Sequence, residues 1–279
     1  MQIPRIPIGH TIETFLDFLV DKFAFATIAF TEVMESFIRI LEDGMLFLPP
    51  WLFILLASAL VLWLAKNRNI VILTFVGLLL IWNMDLWPAT ISTIALVILA
   101  TKTAIILAIP LGIVAALSQT VYRIVWPILD VMQTMPAFVY LIPAIPFFGL
   151  GKVAAIFATV IFSMPPAIRL TCLGIRQVPY ELIECADSFG TNRWQKLVKL
   201  QIPLATPTIM AGVNQTVMLA LSMVVIASMI GARGLGGEVW RAIQRLQMGN
   251  GFEAGIAIVI VAIILDRVLQ RVGTGTSGK

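Results

Sequence analysis

The sequence has little charge and almost no imidazole or thiol chemistry. Of its 279 residues only 12% are charged, one is a histidine (His10) and two are cysteines, Cys172 and Cys185. A single histidine excludes sites built from imidazole clusters, and two cysteines without CxxC spacing indicate free thiols rather than a metal site or a disulfide framework. We therefore expect no catalytic residues and no metal ligands in this chain.

Nucleotide and nucleic-acid motifs are also missing. The glycine cluster at 231–237 follows an apolar helix instead of a strand and lacks a GxxxxGK[ST] pattern, and Pro146 occupies the first glycine position of the stretch that ends at Gly151-Lys152. The net charge of +4 is small, and no basic patch interleaved with aromatic residues accompanies it. We expect neither a nucleotide site nor nucleic-acid binding.

Apolar residues dominate what remains. Hydrophobic residues make up 59% of the chain and its mean hydropathy is +0.98, which is more apolar surface than a soluble domain could bury. Continuous apolar runs of about 20 residues favour helices over barrel strands. We predict an all-α polytopic membrane protein with about seven transmembrane helices, at about 46–65, 70–86, 89–117, 124–148, 152–171, 206–230 and 252–270.

The N-terminal segment 1–44 carries too much charge for a membrane span, and its apolar residues recur at helical spacing at Ile12, Phe15, Leu16, Leu19 and Phe23. We predict an amphipathic helix that either lies on the bilayer or packs against a second copy of the chain. Two accessory helices at 45–87 and a transmembrane core at 88–270 complete the predicted domain organisation.

Basic residues between the predicted spans set the orientation. If the spans alternate, Lys66, Arg123, the loop after the fifth span and Arg267 fall on one side of the membrane. The positive-inside rule places this side in the cytoplasm, together with the C-terminus, and the N-terminus outside. The loop at 231–251 is then outside despite its three arginines.

A polar stretch at 169–207 interrupts the apolar second half of the chain. It reads as two short amphipathic helices joined at Gly190, whose lack of a side chain suits a left-handed turn. Asn192 can cap the second helix, which we expect to stop before Pro203.

Polar residues inside the predicted spans are costly in lipid and mark either a transport pathway or hydrogen bonds between helices. Lys102 lies near the middle of the third span, where it is expected to face an aqueous cavity or a carboxylate such as that of Asp130. Three prolines after Asp130 should interrupt the fourth helix. The pathway candidates are Lys102, Asp130, Gln133, Thr134, Asn214 and Gln215.

The polar stretch also has a specific spacing: Glu184-Cys185-Ala186, three residues, Gly190, nine residues, then Leu200-Gln201-Ile202-Pro203. This resembles the EAA loop of type I ABC-importer permeases, with Cys185 at the second motif position. The stretches MQTMPAFVYLIPA, NQTVMLALSMVVIASMIGARGLG and EAGIAIVIVAIILDR resemble permeases of the glycine betaine/proline betaine/choline osmoprotectant branch. The resemblance covers about residues 88–270 and implies the type I ABC-importer permease fold.

The resemblance implies the membrane-spanning subunit of an ATP-driven, binding-protein-dependent importer of glycine betaine or a related compound in a bacterial cell membrane. Its partners would be a second permease copy, an extracytoplasmic substrate-binding protein and a cytoplasmic ATPase dimer. ATP and Mg²⁺ would bind to the ATPase, and this chain would not be an enzyme. The loop at about 172–205 would contact the ATPase through Glu184, Cys185, Ala186, Gly190 and Pro203.

The alternative is a stand-alone secondary transporter or channel for small zwitterions. The EAA-like spacing and the scarcity of paired intramembrane carboxylates, which proton or sodium coupling would use, both count against it.

Overall fold

The computed structural model describes the backbone of residues 8–275 and the side chains of residues 9–271, and every regular element in this part of the chain is a helix. Short 3-10 turns at Ala137–Tyr140 and Ser228–Ile230 and a π-helical turn at Leu197–Gln201 accompany twelve α-helices. The α-helices are α1 (Ile8–Leu46), α2 (Pro50–Ala65), α3 (Arg68–Asn83), α4 (Trp87–Leu117), α5 (Gln119–Thr134), α6 (Leu141–Phe148), α7 (Lys152–Arg176), α8 (Tyr180–Ser188), α9 (Arg193–Lys196), α10 (Ile202–Ala227), α11 (Leu235–Gln244) and α12 (Met248–Gly275).

Helix α7 forms the centre of the bundle, between α4 and α10, and small residues allow the close approach. A Cβ atom at Gly112 of α4 would lie 2.7 Å from Thr171 Cβ and 2.8 Å from the carbonyl oxygen of Ile168. A Cβ at Gly212 of α10 would lie 3.0 Å from Leu170 Cβ. Because the atoms in the way include backbone, a side chain at Gly112 would push α4 off α7.

The N-terminal helix α1 is one continuous helix of 39 residues that meets α2 at a bend of 99°. Most of its length is exposed, including Phe25, whose exposed fraction is 88%. Its C-terminal end is fixed to the bundle, because the carboxylate of Glu42 accepts hydrogen bonds from Lys152 Nζ at 2.6 Å and from Ser92 Oγ at 2.7 Å.

Contacts between helix termini show which of them lie at the same end of the bundle. At one end, Arg176 of α7 donates to the carbonyl of Ala115 near the end of α4. At the opposite end, Glu42 joins the starts of α4 and α7, and the Leu235 N–H that begins α11 donates to Thr93 Oγ1 at 2.8 Å. We call the first the hairpin end, because the polar stretch that follows α7 begins there, and the second the opposite end.

Three helical segments are long and apolar enough to cross a membrane: Trp87–Leu117, Lys152–Arg176 and Arg193–Ile230. The number rises to five if each of two bent helix pairs counts as one span, while Arg68–Asn83 is apolar but shorter. The predicted all-α membrane class is confirmed, whereas the predicted number of about seven spans is not confirmed by these lengths and compositions.

The predicted interruption of the fourth span is present. Helix α5 ends at Thr134, a 3-10 turn follows Pro136, and α6 leaves at a bend of 114° to α5. Pro136 has no N–H to continue the helix, and one of the carbonyl groups freed at the break, that of Met132, accepts a hydrogen bond from the Tyr140 hydroxyl.

Candidate functional site

The polar stretch forms a compact hairpin at 177–201, which we call the central hairpin. Its turn is Gly190, whose φ of +74° lies in the left-handed region that glycine adopts without a steric penalty. Asn192 then caps α9 through a capping box: Gln195 N–H donates to Asn192 Oδ1 at 2.8 Å, and Asn192 N–H donates to Gln195 Oε1 at 3.0 Å. Both predictions about this turn are confirmed.

Additional contacts hold the two arms of the central hairpin together. Lys196 Nζ on the second arm lies 2.6 Å from Asp187 Oδ1 on the first arm. The Thr191 hydroxyl donates to the carbonyl of Ala186 at 2.7 Å. Since this ion pair and this hydrogen bond both cross the turn at Gly190, while the capping box fixes the start of the second arm, the hairpin is braced as a unit.

The outer surface of the central hairpin is uncovered. No residue of α8 is buried, and two aromatic side chains beside the turn, Phe189 and Trp194, are 84% and 71% exposed. Glu184 and Cys185 are exposed as well. The Glu184 carboxylate forms no ion pair with any side chain among residues 9–271. Exposed aromatic rings next to an unpaired acid are typical of a surface that binds another protein.

The expected stop before Pro203 is wrong. Residues Arg193–Ile230 form one long helical segment, in which the π-helical turn Leu197–Gln201 joins α9 to α10. In this turn the Ile202 N–H donates to the carbonyl of Leu197, five residues earlier, and Pro203 occupies the first turn of α10. A proline is tolerated there because its missing N–H is not needed.

Arg176 anchors the other arm of the hairpin. Its Nη2 donates to the carbonyl of Ala115 at 3.0 Å and its Nε to that of Ala116 at 3.3 Å, so it satisfies carbonyls near the C-terminus of α4. Its guanidinium also lies 4.0 Å from the ring centre of Tyr122. The end of α7 is therefore fixed to α4 and α5 where the central hairpin begins.

Asp130 pairs with an arginine rather than with Lys102. Arg169 Nη2 of α7 donates to Asp130 Oδ1 at 2.5 Å, and the same guanidinium lies 5.1 Å from the ring centre of Trp126. Lys102 is exposed and forms no ion pair within residues 9–271. The suggested contact between Lys102 and Asp130 is therefore wrong.

The remaining pathway candidates divide into two groups. Gln133, Thr134 and Gln215 are exposed on the surface of the single chain. Asn214 is half-buried, and its Nδ2 donates to Asp266 Oδ1 of α12 at 2.8 Å. For Asn214 this contact favours the alternative of a hydrogen bond between helices.

Sequence reasoning missed two partners of the candidate residues, Arg169 for Asp130 and Asp266 for Asn214. A signal was present for the first, because Arg169 and Arg176 are seven residues apart on one face of α7. No local pattern identified Asp266, whose partner Asn214 lies 52 residues away along the chain.

An all-helical bundle with a braced polar hairpin between two membrane helices is the architecture of a transporter membrane subunit. Residues 108–273 match the family described as "Binding-protein-dependent transport system inner membrane component", and the chain belongs to this family. It is a multi-pass membrane protein and a transport subunit rather than an enzyme, and systems of this kind include an ATPase and a substrate-binding protein.

Three relatives illustrate the similarity. The chain is 51% identical over 271 residues to the glycine betaine/carnitine transport permease protein GbuB of Listeria monocytogenes, covering 96% of each chain. It is 48% identical to the glycine betaine transport system permease protein OpuAB of Bacillus subtilis, covering 97% of this chain and 96% of the relative. It is 51% identical to the glycine betaine/proline betaine transport system permease protein ProW of Escherichia coli, covering 78% of this chain and 62% of the relative.

A solved structure confirms the predicted fold. The MetNI methionine ABC transporter, in an inward-facing conformation, superposes with a TM-score of 0.60, covering 66% of this chain and 93% of the matched chain. The sequence identity is 20%, so this likeness shows the fold alone. The predicted type I ABC-importer permease is confirmed, and the stand-alone channel or secondary transporter is not favoured.

Proposed function

We propose that this chain is the permease of an ATP-driven importer of glycine betaine or a related quaternary-ammonium osmoprotectant, and that it works by alternating access. The observation that carries the proposal is the identity of 51% across 96% of the chain to a glycine betaine/carnitine permease. Two further relatives with glycine betaine in their names support the same substrate class. The membrane would be the inner membrane of a bacterium.

In this proposal the central hairpin transmits the movement of the ATPase. Glu184, Cys185 and Ala186 would seat in a groove of the ATPase, with Gly190 setting the turn at the tip. The braced contacts across that turn support a rigid-body role, since a braced element passes on a displacement instead of absorbing it.

Pro203 and the π-helical turn would carry this displacement into the membrane. Residues from α9 to the 3-10 turn after α10 are one helical segment, Arg193–Ile230, so a displacement of the hairpin would act directly on a membrane helix. The coupling segment would extend over about 172–205, within a transmembrane core at 88–270. The N-terminal segment 1–44 and the accessory helices at 45–87 would precede this core.

The proposed assembly contains two copies of this chain, two ATPase subunits that bind ATP and Mg²⁺, and an extracytoplasmic binding protein. The hairpin end would face the cytoplasm together with the C-terminus, and the N-terminus would be outside, as the basic residues of the loops favour. A second copy would cover some of the polar side chains that are exposed in the single chain, among them Lys102, Gln133 and Gln215.

The neutral dipoles of Gln133, Thr134 and Gln215 suit a zwitterionic cargo, because they can contact both of its charges without holding it tightly. We propose these side chains, with Lys102 and Asp130, as the pathway, and assign Asn214 to the hydrogen bond with α12. Asp130 is the best supported of them, since its side chain is 59% exposed within a broken membrane helix.

Reconstitution tests this function. Proteoliposomes with the permease, its ATPase and its binding protein should accumulate radiolabelled glycine betaine only when ATP is enclosed with the ATPase. Liposomes with the permease alone, at the same protein density, serve as the control and should show no uptake. Uptake driven by an ion gradient in the permease-only liposomes would contradict the proposal.

A further inference from the structure

Five side chains on two neighbouring helices form a continuous row, which we call the aromatic-arginine cluster. Tyr122, Trp126 and Asp130 follow one another at four-residue spacing on α5, and Arg169 and Arg176 face them from α7. The rings of Tyr122 and Trp126 stack with their centres 4.4 Å apart. Each arginine lies against one ring, at 4.0 Å for Arg176 and 5.1 Å for Arg169. The row ends in the ion pair of Arg169 and Asp130.

The depth of this ion pair needs an explanation. Arg169 precedes Arg176, the last residue of α7, by seven positions, so it lies about 10 Å along the helix from that end. Ionised side chains inside membrane helices are costly and mark a ligand or ion path by default. An ion pair serving only to brace two helices could be replaced by apolar packing without this cost.

The pair is also reachable and incompletely satisfied. The Asp130 side chain is 59% exposed and that of Arg169 is 25% exposed. Arg169 Nε is buried and has no hydrogen-bond partner, so the guanidinium keeps an unused donor. The polar residues Gln133 and Thr134 follow on the same exposed part of α5, next to the break in the helix.

The chemistry of the cluster matches one class of small molecule. A quaternary ammonium group has no N–H to donate, so only ring faces and carboxylates attract it. A carboxylate is bound best by the planar fork of a guanidinium. Trp126 and Asp130 offer the first kind of partner and Arg169 the second, and Arg169 contacts both of the other two.

We propose that Arg169, Asp130 and Trp126 form a transient site for a quaternary-ammonium zwitterion inside the permease. This inference rests on the proposed function. When the site is empty, Arg169 pairs with Asp130. When a zwitterion enters, its carboxylate binds the guanidinium of Arg169, and its ammonium group lies between the Trp126 ring and the Asp130 carboxylate.

The internal ion pair keeps this site weak. The zwitterion must break the ion pair between Arg169 and Asp130 to enter. Its carboxylate and its ammonium group then replace the two charges of that pair, so little free energy is gained. A site on a transport path needs this balance, because cargo that binds tightly is not released. Tyr122, held by Arg176, positions the Trp126 ring without touching the cargo.

Binding can be observed at Trp126 itself. The full permease, labelled with 5-fluorotryptophan and placed in lipid nanodiscs, contains seven tryptophans, and the signal of Trp126 is assigned by its loss in Trp126→Phe. Glycine betaine should shift this ¹⁹F signal saturably at millimolar concentration. Choline, which lacks the carboxylate, and 3,3-dimethylbutyrate, in which a neutral carbon replaces the quaternary nitrogen, should each bind at least about tenfold more weakly. No saturable shift, or equal shifts with all three compounds, would overturn the site.

Transport by the reconstituted complex provides the second readout. In Arg169→Gln/Asp130→Asn, amides keep a hydrogen bond but remove both charges, so uptake should fall about tenfold while ATPase stimulation by the loaded binding protein persists. Trp126→Phe should lower uptake several-fold, since phenylalanine attracts cations less than tryptophan. The control Trp63→Phe, at a 73% exposed position of α2, should transport normally.

The two experiments separate the failure of this site from the failure of the proposed function. If the wild-type complex imports glycine betaine and a folded double variant imports it equally well, the site is wrong and the proposed importer function is retained. A wild-type complex that does not import glycine betaine, but whose Trp126 signal responds to it selectively, would overturn the importer and leave the site. If the double variant does not fold, the wild-type ¹⁹F titration decides the question.

Discussion

The guanidinium of Arg169 donates to the carboxylate of Asp130 at 2.5 Å and thereby joins α7 to α5, the helix that breaks before Pro136. The same arginine rests on the face of Trp126. Because α7 leads directly into the central hairpin, this pair links the broken membrane helix to the surface on which we propose that the ATPase acts.

A double-mutant cycle should detect this coupling. Arg169→Gln and Asp130→Asn should each lower the apparent melting temperature of the purified permease, because each leaves one charge without its partner. The double variant should recover much of the loss, with a coupling energy of about 0.5–3 kcal/mol. Losses that simply add would mean that the two side chains do not stabilise each other.

The turn and the helix cap of the central hairpin were predictable because glycine and asparagine act on backbone groups within a few residues of themselves. Gly190 provides the left-handed turn and Asn192 the helix cap, whatever surrounds them. The continuation of the helix through Pro203 was not predictable in the same way. It depends on a π-helical turn, Leu197–Gln201, that no propensity specifies.

Contacts between helices were the part that the sequence did not determine. The sequence suggested Lys102 as a partner of Asp130, whereas the structure pairs Asp130 with Arg169, and the rotation of α4 and α7 determines which cation lies beside it. The pairing of Asn214 with Asp266 likewise depends on how α10 and α12 pack. Periodicity identifies the face of a helix but not the neighbour that covers it.

The anchor of α1 gives a second prediction. Replacing Lys152 with Met leaves Glu42, whose side chain is 13% exposed, without its cationic partner and should cost about 1–3 kcal/mol. Hydrogen exchange in the last turns of α1 should become faster. The matched control is Arg39→Gln, which breaks the exposed pair with Glu35 on the same helix and should change stability by less than about 0.5 kcal/mol. Equal exchange rates in both variants would contradict the anchoring role.

The close contact between α4 and α7 gives a third prediction. Gly112→Ala places a methyl group 2.8 Å from the Ile168 carbonyl and should destabilise the permease by about 1–3 kcal/mol, read as a lower apparent melting temperature. Gly255→Ala in α12 is the control, because, apart from its two chain neighbours and its own helix backbone, no atom lies within 4 Å of the added methyl. It should be neutral or slightly stabilising, since alanine favours helix more than glycine. Equal melting temperatures for the two variants would refute the close packing.

The turn of the central hairpin gives a fourth prediction. At the φ of +74°, Gly190→Val forces a β-branched residue into the left-handed region at a cost of about 1–2 kcal/mol, whereas Gly190→Asn is tolerated there. In the reconstituted complex the valine variant should hydrolyse ATP with little uptake, and the asparagine variant should keep both activities. Normal uptake by the valine variant would show that the shape of this turn is not needed for coupling.

Glu184→Lys tests the charge of the same surface. The carboxylate is exposed and pairs with no side chain in the described part of the chain, so its reversal should leave folding unchanged. We expect normal insertion and melting temperature, with uptake per ATP hydrolysed reduced at least about tenfold, because the charge would oppose its partner on the ATPase. Glu181→Lys, also exposed on α8 but outside the EAA-like spacing, is the matched control, and an equal loss in both variants would remove the special role of Glu184.

The position of the central hairpin, in the cytoplasm and seated in the ATPase, can be tested at its own cysteine. Cys185 is exposed and Cys172 is buried, so a membrane-impermeant maleimide should label Cys185 alone. We predict rapid labelling in inverted membrane vesicles that contain the permease without its ATPase, none in intact cells, and slower labelling by at least about tenfold once the ATPase is bound, with Cys185→Ser as the unlabelled control. Labelling from the outside of intact cells would contradict the cytoplasmic position of the hairpin, and labelling that the ATPase does not slow would contradict its contact with the ATPase.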